Sequence, residues 1–423
     1  MYEMHDSGIE WIKELPCDWK VSPLKYNYML IAGATPESSN MNLWDGEVNW
    51  ITPADYKTRD VYVFEGKRKL SELGYRSCST TLVPEGSIIF SKRAPIGSVA
   101  ISKRELCTNQ GCLSLVEKNK TVNNKYYYYV LSIYDEVFNL FGSGTTFKEI
   151  SATVFGNIML PYPPKNMQDK IVDYLDSKCS EIDLLFSDIQ KEIETLEKYK
   201  KSVITESVTK GLNSIVKKKE SGVQWIGLIP EHWEIIKGKY ILKCLQKPVR
   251  EDDGVITCFR DGEVTLRSNR REDGFTMSDK EIGYQGIDVG DLVVHGMDGF
   301  AGSIGISDSR GKASPVLNVL DTDMDKKYVM YYLRSMAYSD VFLALATGIR
   351  VRSCDLRWNK LAELLYPVPP KEEQIAISKY IDKTIEETNK IIELKKQQLE
   401  TLDEYKKSLI YEYVTGKKEV PNI

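Results

Sequence analysis

The chain has 423 residues, 57 Lys and Arg against 61 Asp and Glu, a net charge of −4 and 42% hydrophobic residues. This length suits two or three globular domains, and the composition is that of a soluble globular protein. The longest apolar stretches, such as Val341 to Ala346, are too short for a membrane span, and no apolar run after Met1 reads as a signal peptide. The eight cysteines form no C-x-x-C pair and only three histidines are present, so no zinc site is expected, and scattered free thiols point to a reducing cytoplasm. The acidic balance does not exclude nucleic acid, because a DNA-facing surface needs only local basic density.

In chain order, residues 7–19 read SGIEWIKELPCDW, and short Gly-punctuated strands follow at Ser87–Phe90 and Gly97–Ile101. Lys92 and Arg93 follow the first of these, and an aromatic-rich helical stretch is predicted from Tyr126 to Phe141. The loop GSGTTFK (142–148) precedes PYPPKNMQ (161–168), whose prolines stand where a helix is entered. From there Ile171, Leu175, Ile182, Leu185, Ile189, Leu196, Tyr199 and Val203 step by threes and fours, interrupted by Lys178, Glu192 and Glu206. That narrow stripe predicts a long helix suited to coiled-coil packing, closed near Gly211. Lys217, Lys218 and Lys219 read as a solvated linker.

The second half repeats this order. SGVQWIGLIPEHW (221–233) copies the opening, strands are predicted at Val289–Val294 and Gly302–Ile306, and Tyr328 to Leu345 is again aromatic and helical. PVPPKEEQ (367–374) repeats the helix entry, and KKSLIYEYVT (406–415) repeats KKSVITESVT (200–209). The second helical stripe runs Ile381, Ile385, Ile392, Leu399, Leu402, Leu409 and Tyr413, interrupted by Thr388, Lys395 and Lys406. Three separated blocks in one order establish an internal duplication. It is nearly circular, so the two termini are expected to lie close together. The expected fold class is α+β: two α/β domains in pseudo-twofold repeat, joined by two long helices forming an antiparallel coiled coil. The boundaries read as a first domain over 1–162, helix 163–212, linker 213–220, a second domain over 221–368, helix 369–418 and a tail over 419–423.

Catalytic signatures are missing. GISDSRGK (305–312) has the wrong spacing for a phosphate-binding loop and is followed by Ala313, and PYPP (161–164) lacks the leading Asn or Asp of an amino-methyltransferase motif. His295 has no visible catalytic partner. Paired basic loops in the two halves instead suggest DNA contacts. In the first half these are Lys92, Arg93, Ser143, Thr145, Thr146 and Lys148. In the second they are Arg267, Arg270, Arg271, His295, Arg350 and Arg352, with His295 read as the counterpart of Lys92 and Arg93.

The duplicated opening, GSGTTFKEI (142–150) and the P-x-P-P-x-x-x-Q helix entries together resemble the specificity subunits of type I restriction-modification systems, over essentially the whole chain. The second half departs from the first: IRVR (349–352) replaces SGTT (143–146), and WITPAD (50–55) has no clear copy. The resemblance implies a non-catalytic subunit without a cofactor of its own, in which each domain reads half of a bipartite DNA site. It implies two methyltransferase subunits as partners, with motor-nuclease subunits joining through the complex. A coiled-coil scaffold that binds only proteins is the alternative.

Overall fold

The computed structural model describes residues 3–56, 60–93, 95–142, 148–270, 282–345 and 356–421. Four helices recur as two pairs: α1 (Asn124–Ser132) with α2 (Lys165–Lys210), and α3 (Lys326–Tyr338) with α4 (Lys371–Val414). The chain divides into two units, residues 1–188 with 397–423, and residues 189–396. Each unit therefore contains part of α2 and part of α4.

The first unit carries a five-stranded sheet. Its strands include β1 (Tyr28–Ala32), and later β3 (Tyr62–Val63), after β2 (Trp44–Ile51), which belongs elsewhere. Beyond β4 (Arg68–Leu70) come β5 (Ile88–Ser91), β6 (Val99–Ser102), β7 (Cys107–Thr108) and β8 (Cys112–Glu117). The sheet order is β1-β8-β5-β6-β3, and β7-β2-β4 form a separate three-stranded sheet. Every residue of β5 and β6 is buried, as strands covered on both faces require. α1 supplies a run of buried tyrosines to the same core as Ile88, Phe90 and Leu115.

The second unit repeats the central strands as β9 (Lys243–Leu245), β10 (Leu292–His295), β11 (Ile304–Ile306) and β12 (Leu317–Asp321), in the order β9-β12-β10-β11. Among the described residues this is the order of β1-β8-β5-β6 without the outer strand. The predicted aromatic helices each break in two. After α1 a second helix runs Asp135–Phe141, and after α3 a short one runs Val341–Ala344. Asp340 between the latter two adopts a left-handed φ of 54°, which ends a helix.

In both units α2 and α4 run antiparallel. In the first, Tyr174 packs on Tyr413 with ring centroids 4.5 Å apart, and Lys406 Nζ donates to both Asp183 carboxylate oxygens at 2.7 Å. In the second, Lys200 Nζ donates to Asn389 Oδ1 at 2.8 Å, and Lys395 pairs with Glu192. Lys395 and Lys406, read as interruptions of the α4 stripe, thus form cross-helix ion pairs on it. In α2 the stripe is shifted. Leu185 and Tyr199 are 54% and 48% exposed, while Ile193 and Ser207 are buried and Phe186 and Lys200 are partly so. The heptad therefore runs 182, 186, 189, 193, 196, 200, 203, 207, with every second position one residue later than the sequence suggested. The apolar run Leu184-Leu185-Phe186 offered both choices, and the backbone selected Phe186.

The ends of the two helices are received alike. Gly416, at φ 68°, lies so close to Pro16 and Trp19 that a Cβ there would sit 2.4 Å from Pro16 Cγ. Gly211, at φ 71°, sits against Pro230 and Trp233. The N-terminal residues Ile9, Ile12 and Leu15 share a core with Leu409, Tyr413 and Val414, as the circular repeat predicts. Lys218–Glu220 form a strand paired with Leu228–Pro230, so the expected 213–220 linker ends in regular structure, though all three residues remain exposed.

Candidate nucleic-acid interface

Each unit is fixed to the helices by one repeated set of polar side chains. Asn123 caps α1 and its backbone N–H donates to Gln168 Oε1 at 2.7 Å, while Gln168 Nε2 donates to Pro163 O at 2.9 Å. Asp325 caps α3, its N–H donates to Gln374 Oε1 at 2.8 Å, and Gln374 Nε2 donates to Pro369 O at 2.8 Å. The glutamine of P-x-P-P-x-x-x-Q is thus a buried joint between two helices. One turn further, Lys125 Nζ and the Tyr129 hydroxyl both donate to Asp176, at 2.6 and 2.7 Å, and Lys327 and Tyr331 do the same to Asp382, at 2.5 Å each. The Tyr126 hydroxyl donates to Val414 O at 2.8 Å, and the Tyr328 hydroxyl to Val208 O at 3.1 Å. The sequence repeat contains these residues, but the pairings needed the fold.

On this scaffold, Lys92 and Arg93 leave the end of β5. The Lys92 N–H donates to Gly111 O at 2.9 Å and its carbonyl accepts from Ile150 N–H at 3.0 Å, which clamps the turn. Lys92 Nζ and Arg93 Nε reach the two oxygens of Glu149, at 2.7 and 2.8 Å. Donation from Lys92, then from Arg93, holds the Glu149 carboxyl below the usual carboxylate range. One carboxylate serving two cations leaves a local charge of +1. Lys148 is exposed beside this group. Ser143, Thr145 and Thr146 lie outside the described residues.

In the second unit the register corrects one expectation. Gly296 N–H donates to Val316 O and Gly296 O accepts from Leu356 N–H, both at 2.8 Å, which is the pairing Lys92 makes with Gly111 and Ile150. Gly296 is therefore the counterpart of Lys92, and His295 that of Ser91. Ser91 Oγ closes the turn after β5 on the carbonyls of Arg93 and Pro95. His295 closes its own turn with Nδ1, which accepts from Met297 N–H at 3.2 Å and Asp298 N–H at 2.9 Å. Burial lowers the His295 pKa below its ordinary value, against the opposing pull of Asp298. It closes its turn with an imidazole whose uncharged form burial favours.

The remaining second-unit residues are partly spoken for. Arg267 Nε donates to Thr257 Oγ1 at 3.2 Å. Arg270 lies 4.2 Å from the Phe259 ring centroid and pairs with Asp261 at 2.7 Å and Glu263 at 2.9 Å. Arg271, Arg350 and Arg352 lie outside the described residues. The near-miss phosphate loop, 305–312, joins β11 to the strand Gly311–Ala313 and opens no helix. Among the described residues no group of three or more His, Cys, Asp or Glu is placed to hold a metal ion, and no helix is long and apolar enough to cross a membrane.

Residues 16–195 match the family described as the type I restriction modification DNA specificity domain. The chain is similar to this family over that stretch. It is similar to the type I restriction enzyme MjaIX specificity subunit of Methanocaldococcus jannaschii, 33% identical over 44% of this chain and 43% of that one. It is also similar to the MjaVIII specificity subunit of the same organism, 25% identical over 77% of each. The match thus spans less than half the length of the first of these relatives. Over 96% of the chain the fold follows a chain from a solved type I restriction-modification assembly, at a TM-score of 0.68 with 13% identity and 99% of that chain covered. In fold, then, the resemblance extends beyond the matched first half.

Proposed function

We propose that this chain is the DNA-reading subunit of a type I restriction-modification complex and carries no catalytic centre of its own. Residues 1–162 read one half of a bipartite, asymmetric site and residues 221–368 the other. The helices over 163–212 and 369–418 set the distance between half-sites and dock two methyltransferase subunits, with motor-nuclease subunits joining through the assembly. The contacts proposed from the sequence stand in this reading as candidates, with Lys92, Arg93 and Lys148 the best placed and His295 the least. The observation that carries the proposal is the contrast within the repeat: the same joints hold each unit to the helices, while the turns after β5 and β10 present different chemistry. Rigid repeated supports carrying unlike readers select both half-site sequence and separation.

The decisive experiment sequences the methylated motifs of host DNA with and without this chain. A bipartite motif that disappears with the chain is the expected result. A motif that persists, together with no retardation of bipartite duplex by the chain and its methyltransferase partners at several salt concentrations, would return the protein to a scaffold binding only proteins.

A further inference from the structure

WITPAD (50–55) has no copy in the second half, and the fold shows what it holds. Thr52 and Asp55 close a tight turn: the Thr52 N–H and hydroxyl both donate to Asp55 Oδ2, at 2.8 and 2.7 Å, and the Asp55 N–H donates to Thr52 O at 3.0 Å. The other oxygen of Asp55 accepts from Lys67 N–H at 3.0 Å, just before β4. Gly66 packs against the same segment so tightly that a Cβ would lie 2.1 Å from Trp50 O. Pro53 abuts Gly111, the residue whose carbonyl receives Lys92. The motif is thus a buttress that joins the Lys92 turn to β4, an edge strand of the β7-β2-β4 sheet.

What β4 presents is the run Lys67, Arg68, Lys69. Arg68 lies flat on buried Trp44, its guanidinium carbon 3.7 Å from the ring centroid. Trp44 is held in turn by donation from its indole N–H to Glu37 O at 3.2 Å. Among the described residues the Arg68 guanidinium has no carboxylate in ion-pair reach and no hydrogen-bond acceptor. The second unit uses the same stacking for Arg270 on Phe259, but there two carboxylates occupy the guanidinium. An arginine that is immobilised by an aromatic face while its donor fork stays unfilled is preorganised for a planar, two-point acceptor. Lys67 is exposed at its side, and Lys69 is tied to Glu65 at 3.3 Å.

We propose that Arg68, seated on Trp44 and buttressed by WITPAD, is a DNA-contacting residue of the first recognition domain, its fork taking a two-point acceptor on duplex DNA, either a phosphate or the O6/N7 edge of guanine. Among the described residues the second domain has no equivalent stacked arginine with an open fork. The inference rests on the proposed function and adds to it a contact outside the loops named from sequence.

The test uses the chain assembled with its methyltransferase subunits, and fluorescence anisotropy on duplexes in which one half-site at a time is scrambled. Arg68→Ala is expected to weaken binding by about 5- to 100-fold, with Arg68→Lys restoring only part, and to act through one half-site alone. A loss accompanied by a shallower salt dependence assigns a phosphate; a loss at unchanged salt dependence with relaxed sequence choice in that half-site assigns a guanine edge. Lys67→Ala, at an exposed position, provides a variant with no packing to lose. If the wild-type complex binds and both variants bind equally well at every salt concentration, this inference alone is overturned. If the wild-type complex fails to bind bipartite DNA, the functional reading falls and the inference with it.

Discussion

Glu149 offers the sharpest test of the first candidate interface, because it neutralises part of the charge that DNA would need. Its carboxylate sits 2.7 Å from Lys92 Nζ and 2.8 Å from Arg93 Nε. If both cations engage phosphates, DNA must compete with this carboxylate. A partly exposed ion pair of this kind is worth about 0.2–1 kcal/mol. Glu149→Gln keeps a side-chain oxygen to accept from one cation and removes the negative charge, so DNA affinity is expected to rise by about 1.5- to 5-fold. Lys92→Ala should act in the opposite sense and lower the slope of log affinity against log salt by about 0.9. Between 50 and 200 mM salt, that slope change alone amounts to about a 3.5-fold difference in how much affinity is lost. The assay is anisotropy on a bipartite duplex with the methyltransferase-bound complex, at four or more salt concentrations. An unchanged slope in Lys92→Ala together with weaker binding in Glu149→Gln would refute the reasoning, because the trio would then be a structural clamp whose charge DNA never meets.

Removing one matched heptad from each long helix shortens both by about 10 Å, or about three base pairs of duplex; the methylated motif should keep its half-sites and lose about that much spacer. Altered half-sites with an unaltered spacer would count against the helices as the ruler. Tyr328→Phe deletes a buried hydroxyl that reaches Val208 O at 3.1 Å and Pro367 O at 3.0 Å, and should cost about 1–3 kcal/mol, read as a lower urea midpoint; an unchanged midpoint would show that the joint carries no load. His295 has a folded pKa below its unfolded value because burial disfavours the imidazolium. The unfolded chain therefore binds the proton more readily, so this contribution to stability is complete above about pH 6.5 and declines as pH falls below it. His295→Asn should flatten that segment of the stability curve, and an identical pH profile in the variant would show that the imidazole stays solvated.

What was legible from sequence followed from local spacing. Apolar steps of three and four, with prolines before and glycines after, placed two helices that run Lys165–Lys210 and Lys371–Val414. The α4 stripe was read in its true register although Ile391-Ile392 and Leu409-Ile410 also offered a choice, whereas the adjacent apolar residues at 184–186 let the α2 stripe slip by one. Strand pairing was less visible. His295, after the strand expected to end at Val294, looks equivalent to Lys92 and Arg93 only until cross-strand hydrogen bonds set Gly296 opposite Val316 as Lys92 is set opposite Gly111. Arg68 was hidden for a related reason. A Lys-Arg-Lys run is ordinarily a solvated strand edge, and only the stack on Trp44, distant in sequence, distinguishes it.

The duplication separates two demands that one surface could not satisfy. The joints to the helices must be equal if partner subunits are to dock on each half in the same way, and they are equal: Gln168 and Gln374, Lys125 and Lys327, Asp176 and Asp382, Tyr126 and Tyr328 make matching bonds. The reading surfaces must differ if the two half-sites differ. There the same backbone turn carries Lys92 in one unit and Gly296 in the other, and a stacked arginine is left open on Trp44 but closed by two carboxylates on Phe259. Because the joints are made by backbone carbonyls and by polar groups outside the turns, substitutions in the turns can change what a unit presents without disturbing its support. On the proposed function, an arrangement of this kind would accommodate a new half-site by local exchange of turn residues and leave the spacing to the length of the helices.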